Sequence, residues 1–251
     1  MVSKYLKYNN ISILIPARNE EPNIKILLPL LLKRYSQHIR EIILVNDCST
    51  DGTQNVLKKL KEKNSQIRLV NRKANPGVGN ALKEGIKNLH PRSQYVLFMD
   101  CDFLANIDDV GIMISKIDKF DGLVGSRFIR KNSLNSYPLL KRLVNRSYHY
   151  LTRLFLKIPN SDLTNNFKLY KTSLVRKIYP LLSSSDFAVN AELGFYPVLM
   201  HARIGEIPVS WQERTKQMGL SKFKILKVGP SYLKVFIKLL QFKYLSPKKT
   251  K

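Results

Sequence analysis

Two carboxylates separated by one residue end an apolar run in Tyr95-Val96-Leu97-Phe98-Met99-Asp100-Cys101-Asp102. At the point where a buried strand becomes a loop, such a pair can share a hard divalent cation that also holds diphosphate oxygens. In an open α/β sheet the carboxyl ends of the strands border the ligand crevice, so carboxylates placed there face a site. A D-x-D pair on its own suits a solvated turn equally well, and the surrounding elements must decide.

Those elements alternate. Ile11 to Pro16, Glu41 to Asn46, Ile67 to Val70 and Tyr95 to Met99 read as strands, and Asn23 to Tyr35, Asp51 to Asn64 and Gly79 to Leu89 as helices between them. This order implies a mostly parallel sheet with helices on both faces. Ser49-Thr50-Asp51-Gly52-Thr53 supplies capping side chains, with Asp51 itself a cap. Asn75-Pro76-Gly77-Val78-Gly79 supplies a tight turn, and both segments follow strands and open toward one crevice. Gly122 to Arg127 suggests a fifth strand running into a basic loop.

The chain has 251 residues, and 44% hydrophobic content is enough for one sizeable core. Its two cysteines follow apolar strands and have no histidine cluster near them, so neither a disulfide framework nor a cysteine metal site is expected. A reducing interior is the simplest compartment. No apolar run reaches the roughly 18 residues of a spanning helix.

Four ordered segments carry a resemblance: Ile13-Leu14-Ile15-Pro16-Ala17-Arg18-Asn19-Glu20, Leu44-Val45-Asn46-Asp47-Cys48-Ser49, Asn75-Pro76-Gly77-Val78-Gly79-Asn80-Ala81 and Asp100-Cys101-Asp102. Together they resemble the family 2 glycosyltransferases of the GT-A fold, which move a sugar from a nucleotide sugar with inversion at the anomeric carbon. Gly125-Ser126-Arg127-Phe128, Asp162-Leu163-Thr164-Asn165-Asn166-Phe167-Lys168-Leu169-Tyr170, Ile207-Pro208-Val209, Arg214 and Gly219-Leu220-Ser221-Lys222 extend the likeness to the dolichyl-phosphate mannose and glucose synthases. The resemblance covers about residues 11 to 222.

It implies an α/β fold: a single GT-A, Rossmann-like nucleotide-sugar domain with a mixed, mostly parallel sheet over 1–222. The nucleotide half ends near 122, the acceptor half runs from 123 to 222, and a basic amphipathic extension follows over 223–251. By the same resemblance Pro16, Glu20 and Asp47 line the nucleotide pocket, while Asp47 as a plain turn residue is the competing reading. Asp100 and Asp102 hold Mg2+ or Mn2+ and the diphosphate, with Asp102 the direct ligand. Arg127, joined by Arg130, receives the phosphate of a polyprenyl acceptor, and Arg214 and Lys222 close over the diphosphate. Asp162 and Glu192 are catalytic carboxylates, either of which would bind sugar hydroxyls, orient Arg127, act as a base or pair with nearby cations.

There are departures from the pattern. Leu104 stands where the family commonly has Gln after the second aspartate, Asn46-Asp47 replaces an Asp pair, and Arg18 replaces a frequent Tyr. These bear on the donor, which the resemblance leaves as GDP-mannose or UDP-glucose. An acceptor phosphate is already anionic near neutral pH, whereas a glycan or protein hydroxyl, the alternative acceptor, needs a base.

The formal charge of +25 is unevenly placed, with 19 Lys and Arg against 13 Asp and Glu up to Gly122, and 24 against 5 beyond it. The second half is therefore the half that meets a polyanion. Leu139 to Ile158 carries an apolar stripe of Leu140, Leu143, Val144, Tyr148, Leu151, Leu154 and Phe155 among basic residues, and Ser231 to Leu245 is apolar with interspersed lysines. Both suit an anionic membrane surface, so the expectation is a cytoplasmic protein held peripherally at the cytoplasmic face, directly or through a membrane-anchored partner subunit. A nucleic-acid partner is not expected: no recognised motif accompanies the charge, and the D-x-D constellation would be left unexplained.

Overall fold

The apolar runs become strands β1 (Ile11–Ala17), β2 (Ile39–Asp47), β3 (Ile67–Arg72), β4 (Tyr95–Phe98), β5 (Gly122–Ser126), β6 (Lys168–Lys171) and β7 (Ile204–Pro208) in a computed structural model. It describes residues 10–130, 134, 137–210, 214, 218 and 223–245. The helices are α1 (Glu21–Tyr35), α2 (Thr53–Lys63), α3 (Val78–Lys87), α4 (Ile107–Lys116), α5 (Leu139–Leu156), α6 (Thr172–Ile178), α7 (Val189–Leu199) and α8 (Ile225–Tyr244).

The strands form one sheet in the order β3-β2-β1-β4-β6-β5-β7. Every pairing is parallel except those of β6, which runs antiparallel to both β4 and β5. Alternation within the strands feeds two cores. Ile13, Ile15, Ile42 and Leu44 face α1, α2 and α4, while Leu14, Ile43 and Val45 face α3 and α7. Strands buried on both faces explain why β1 and β2 read as continuous apolar runs rather than as alternating ones.

The antiparallel strand decides the geometry of the site. Lys168, its first residue, is level with Phe98 of β4 and Val124 of β5. The turn entering β6 therefore lies at the carboxyl ends of its two neighbours, and segment 162–167 joins the loops that follow β1, β2, β4 and β5.

Two helices divide their faces between core and surface. On α5 the residues turned inward are His149, Thr152 and Leu156, and most of the apolar stripe lies outward. α8 buries Val228, Val235, Phe236 and Leu239, the last three in the core that contains Phe195 of α7. No described helix is long and apolar enough to cross a membrane.

Candidate active site

Four loops converge on the carboxyl ends of the parallel strands. After β4, Asp100 is held by the Asn166 amide, whose Nδ2 donates to its Oδ1 at 2.7 Å. Burial and then the charge of Asp102 raise the Asp100 carboxyl to about 7, outweighing the Asn166 hydrogen bond and the Arg214 charge. Asp102 accepts from Arg214 Nε at 2.6 Å, and Arg214 Nη2 reaches Glu20 Oε1 at 2.9 Å. One guanidinium thus bridges the loops after β1 and β4. Its pKa lies above the ordinary arginine value because these carboxylates outweigh burial. Glu20 is positioned from below by Asn23, whose Nδ2 donates to Oε2 at 2.6 Å.

At the end of β2, Asp47 accepts from Arg72 and from the Gly77 N–H, the latter at 2.7 Å. It is buried, and it ties β3 and the glycine turn to the end of β2. That turn is covered, not open as its sequence suggests. Gly79 donates its N–H to the Ser185 carbonyl at 2.9 Å. A Cβ at Gly77 would lie 2.3 Å from that carbonyl oxygen, and one at Gly79 would lie 2.4 Å from the Ser184 oxygen. The two glycines are needed for close approach of backbone to backbone. The N-cap of α2 is Gly52, not Asp51, although Asp51 accepts the Thr53 N–H at 3.0 Å just ahead of the helix. Pro16, on β1 opposite Val45 of β2, contributes its carbonyl to Cys101 Sγ at 3.5 Å.

On the other side of the D-x-D pair, Arg127 leaves β5 and meets Asp162 in a two-pronged ion pair. Nε donates to Oδ2 at 2.6 Å and Nη2 to Oδ1 at 2.9 Å, and the Arg127 backbone N–H adds a bond of 3.2 Å. Asp162 is fully buried. Burial alone would raise its carboxyl, but the charge and hydrogen bonds of Arg127 outweigh it and hold the group at about 2. The Arg127 guanidinium also lies 5.7 Å from the Tyr137 ring centroid and 5.8 Å from that of Phe128. Arg130 is exposed and acts electrostatically on Asp109.

Glu192 is placed on α7 with a fully buried carboxylate. It accepts from the N–H groups of Ser183 and Ser184 at 3.0 Å each and from Ser183 Oγ at 2.6 Å. The carboxylate fixes the loop that covers the glycine turn. Lys222 lies outside the described residues.

Sequence reasoning passed over three residues that assemble this site. Asn166 holds Asp100. Glu206 of β7 accepts from the N–H groups of Ser161 and Asp162 at 3.0 Å, anchoring the turn from its far side. Lys168 is completely buried and donates to the Asn165 carbonyl. Burial lowers its ammonium to about 7, although Asp162 and Asp100 pull it back up. A lysine inside the apolar strand Phe167-Lys168-Leu169-Tyr170 was the visible signal, because a charge buried in a strand needs a specific partner.

The profile of glycosyl transferase family 2 matches residues 12–179, a span that runs from Ser12 of β1 past β6 and includes the D-x-D pair and the Arg127–Asp162 pair. The chain belongs to glycosyl transferase family 2. This glycosyltransferase is 30% identical over 229 residues to a dolichyl-phosphate beta-glucosyltransferase of Saccharomyces cerevisiae, covering 81% of this chain and 67% of the relative. It is 28% identical to the protein of the same name in Dictyostelium discoideum, covering 81% and 66%. The chain thus spans about two thirds of the length of these curated relatives. Among solved structures, glucosyl-3-phosphoglycerate synthase from Mycobacterium tuberculosis, in complex with Mn2+, UDP and phosphoglyceric acid, superposes with a TM-score of 0.67. That match has 15% identity and covers 96% of this chain and 80% of the other. Likeness at that identity speaks for the GT-A fold.

The Arg127–Asp162 pair gives this glycosyltransferase an acid-sensitive joint. Because Asp162 is depressed from 3.8 to about 2, its contribution to stability is complete above the unfolded value and is lost as pH falls toward 2. The contribution is of order 2 kcal/mol, since each tenfold change in proton affinity is worth about 1.4 kcal/mol. Urea midpoints of the wild type should fall over that window, and those of an Arg127→Met/Asp162→Leu double variant should fall less.

Proposed function

We propose that the enzyme transfers glucose from UDP-glucose to a polyprenyl phosphate at a membrane surface, in one displacement that inverts the anomeric carbon. The observation that carries this reading is the buried Arg127–Asp162 pair at the end of β5, in the same crevice as the D-x-D carboxylates. A guanidinium held in fixed orientation suits phosphate oxygens. The names of the curated relatives support both glucose and the lipid phosphate.

The proton inventory supports a phosphate acceptor over a hydroxyl. Asp162, held at about 2 with both oxygens accepting from Arg127, is too weak a base to activate a hydroxyl near neutral pH. Glu192 directs its carboxylate at Ser183 and Ser184. An ionised phosphate monoester needs neither of them.

The residues at the end of β4 fit a divalent cation. Burial and then the charge of Asp102 disfavour the ionised Asp100 carboxyl, and a cation shared by the two carboxylates would offset both. Asp100 and Asp102 would hold Mg2+ or Mn2+, which when bound would supply charge neutralisation for the departing diphosphate. Pro16, Glu20 and Asp47 edge the nucleotide pocket. Arg214 exchanges its bond to Asp102 for a diphosphate oxygen, and Lys222, eight residues further along the chain, adds a second cation to the diphosphate. Arg127 receives the acceptor phosphate, Arg130 adds positive charge at the approach, and Asp162 keeps Arg127 in place. Peripheral attachment at the cytoplasmic face completes the reading.

Radiolabelled UDP-glucose and GDP-mannose, each offered with polyprenyl phosphate and MnCl2, test the donor. Label should enter the chloroform-soluble product from UDP-glucose at least ~100-fold faster. A preference for GDP-mannose would overturn the donor assignment.

A further inference from the structure

Thirteen of the fifteen exposed large hydrophobic side chains among the described residues lie on α5, on α8 or on the α8 cap residue Leu245. Leu139 is 80% exposed and Leu226 is 95% exposed. The two helices form one surface. Tyr148 of α5 meets the rings of Tyr232 and Phe236 of α8 at 5.5 and 6.1 Å, and Lys243 Nζ donates to the Leu156 carbonyl at 2.6 Å. An apolar concentration of this kind marks an interaction surface.

Its charge identifies the occupant. Each helix carries four lysines or arginines and no aspartate or glutamate. A second copy of the chain would bring the same cations against these, so self-association is opposed. Apolar tips flanked by positive charge that no acidic residue of either helix offsets match the interface of an anionic bilayer, where leucines reach the acyl boundary and lysines meet headgroup phosphates.

We propose that α5 and α8 form a platform lying in the plane of an anionic bilayer, and that the platform sets the position of the acceptor end of the site. The inward side of α5 holds the turn that carries Asp162. Asn145 Nδ2 donates to Thr164 Oγ1 at 2.7 Å, Arg146 Nη1 to the Ser161 carbonyl at 3.0 Å, and the Leu163 N–H to His149 Nε2 at 2.9 Å. Asp162 in turn fixes Arg127. One helix therefore meets the bilayer on one side and positions the phosphate-receiving arginine from the other. This rests on the lipid-phosphate reading above, to which it adds the docking surface.

The test is flotation of the full chain with phosphatidylcholine vesicles, with and without phosphatidylserine. It is paired with transfer to a short, water-soluble prenyl phosphate in vesicle-free buffer. The wild type should float with the anionic vesicles and bind neutral ones about tenfold more weakly or worse. Leu143→Glu/Leu233→Glu changes exposed side chains only. It should lose vesicle binding by about a hundredfold while transferring to the short acceptor at the wild-type rate. Lys227→Gln/Lys234→Gln should lose the preference for phosphatidylserine. The platform is overturned if the wild type stays behind with anionic vesicles present, if the leucine variant floats equally well, or if the wild type is a dimer that the leucine variant dissolves. Use of the short acceptor without flotation would remove the platform and leave the lipid-phosphate reading standing. Flotation without transfer to any prenyl phosphate would do the reverse.

Discussion

Arg127→Ala is expected to lower kcat/KM for polyprenyl phosphate by about a thousandfold, because it removes the planar donor set proposed to receive the acceptor and to steady its charge during attack. KM for UDP-glucose should change little. The same substitution leaves the fully buried Asp162 without its counter-ion, and a carboxylate stranded in that way costs about 3–5 kcal/mol of stability. Activity loss alone is therefore ambiguous. Arg127→Met/Asp162→Leu removes both charges and should recover most of the urea midpoint while remaining inactive. Arg127→Lys keeps the charge but not the fork, and should be impaired about a hundredfold. A folded Arg127→Ala protein with unchanged acceptor kinetics would remove this arginine from the acceptor site.

The second large effect has the opposite signature. Asp102→Asn should reduce kcat by roughly a thousandfold or more, because the site loses half of the charge expected to hold the divalent ion. Its stability should move by no more than about 1 kcal/mol, since the side chain is 26% exposed and the amide oxygen can still accept from Arg214. Mn2+ titration followed by electron paramagnetic resonance should show weakened binding in this variant and normal binding in Arg127→Lys. Wild-type turnover and an unchanged Mn2+ isotherm in Asp102→Asn would refute the metal assignment.

The first half of the chain was legible in the sequence because its physics is local. β1 to β4 are apolar runs bounded by turn residues, and the structure moves their ends by only a few residues, as with β2, which starts at Ile39. The second half depends on distant pairing. β6 has only the four residues Lys168–Lys171, and nothing local says that it runs antiparallel between β4 and β5. That one topological fact brings Asp162, Asn166 and Lys168 to the strand ends. Residue type told as little about where carboxylates point. Asp162 and Glu192 looked alike as candidate bases, yet one is committed to Arg127 and the other to loop backbone. For α5 the helical stripe was legible and most of it lies on the outward face, although periodicity identifies an apolar face without saying what covers it.

Time-resolved phosphorus NMR of the full chain with UDP-glucose, Mn2+ and polyprenyl phosphate tests the central claim most directly, because it follows the acceptor phosphate itself. The account predicts that the polyprenyl monoester signal declines as a phosphodiester signal grows, in step with formation of UDP. Release of UDP while the monoester signal persists would contradict it and would direct attention to a hydroxyl acceptor.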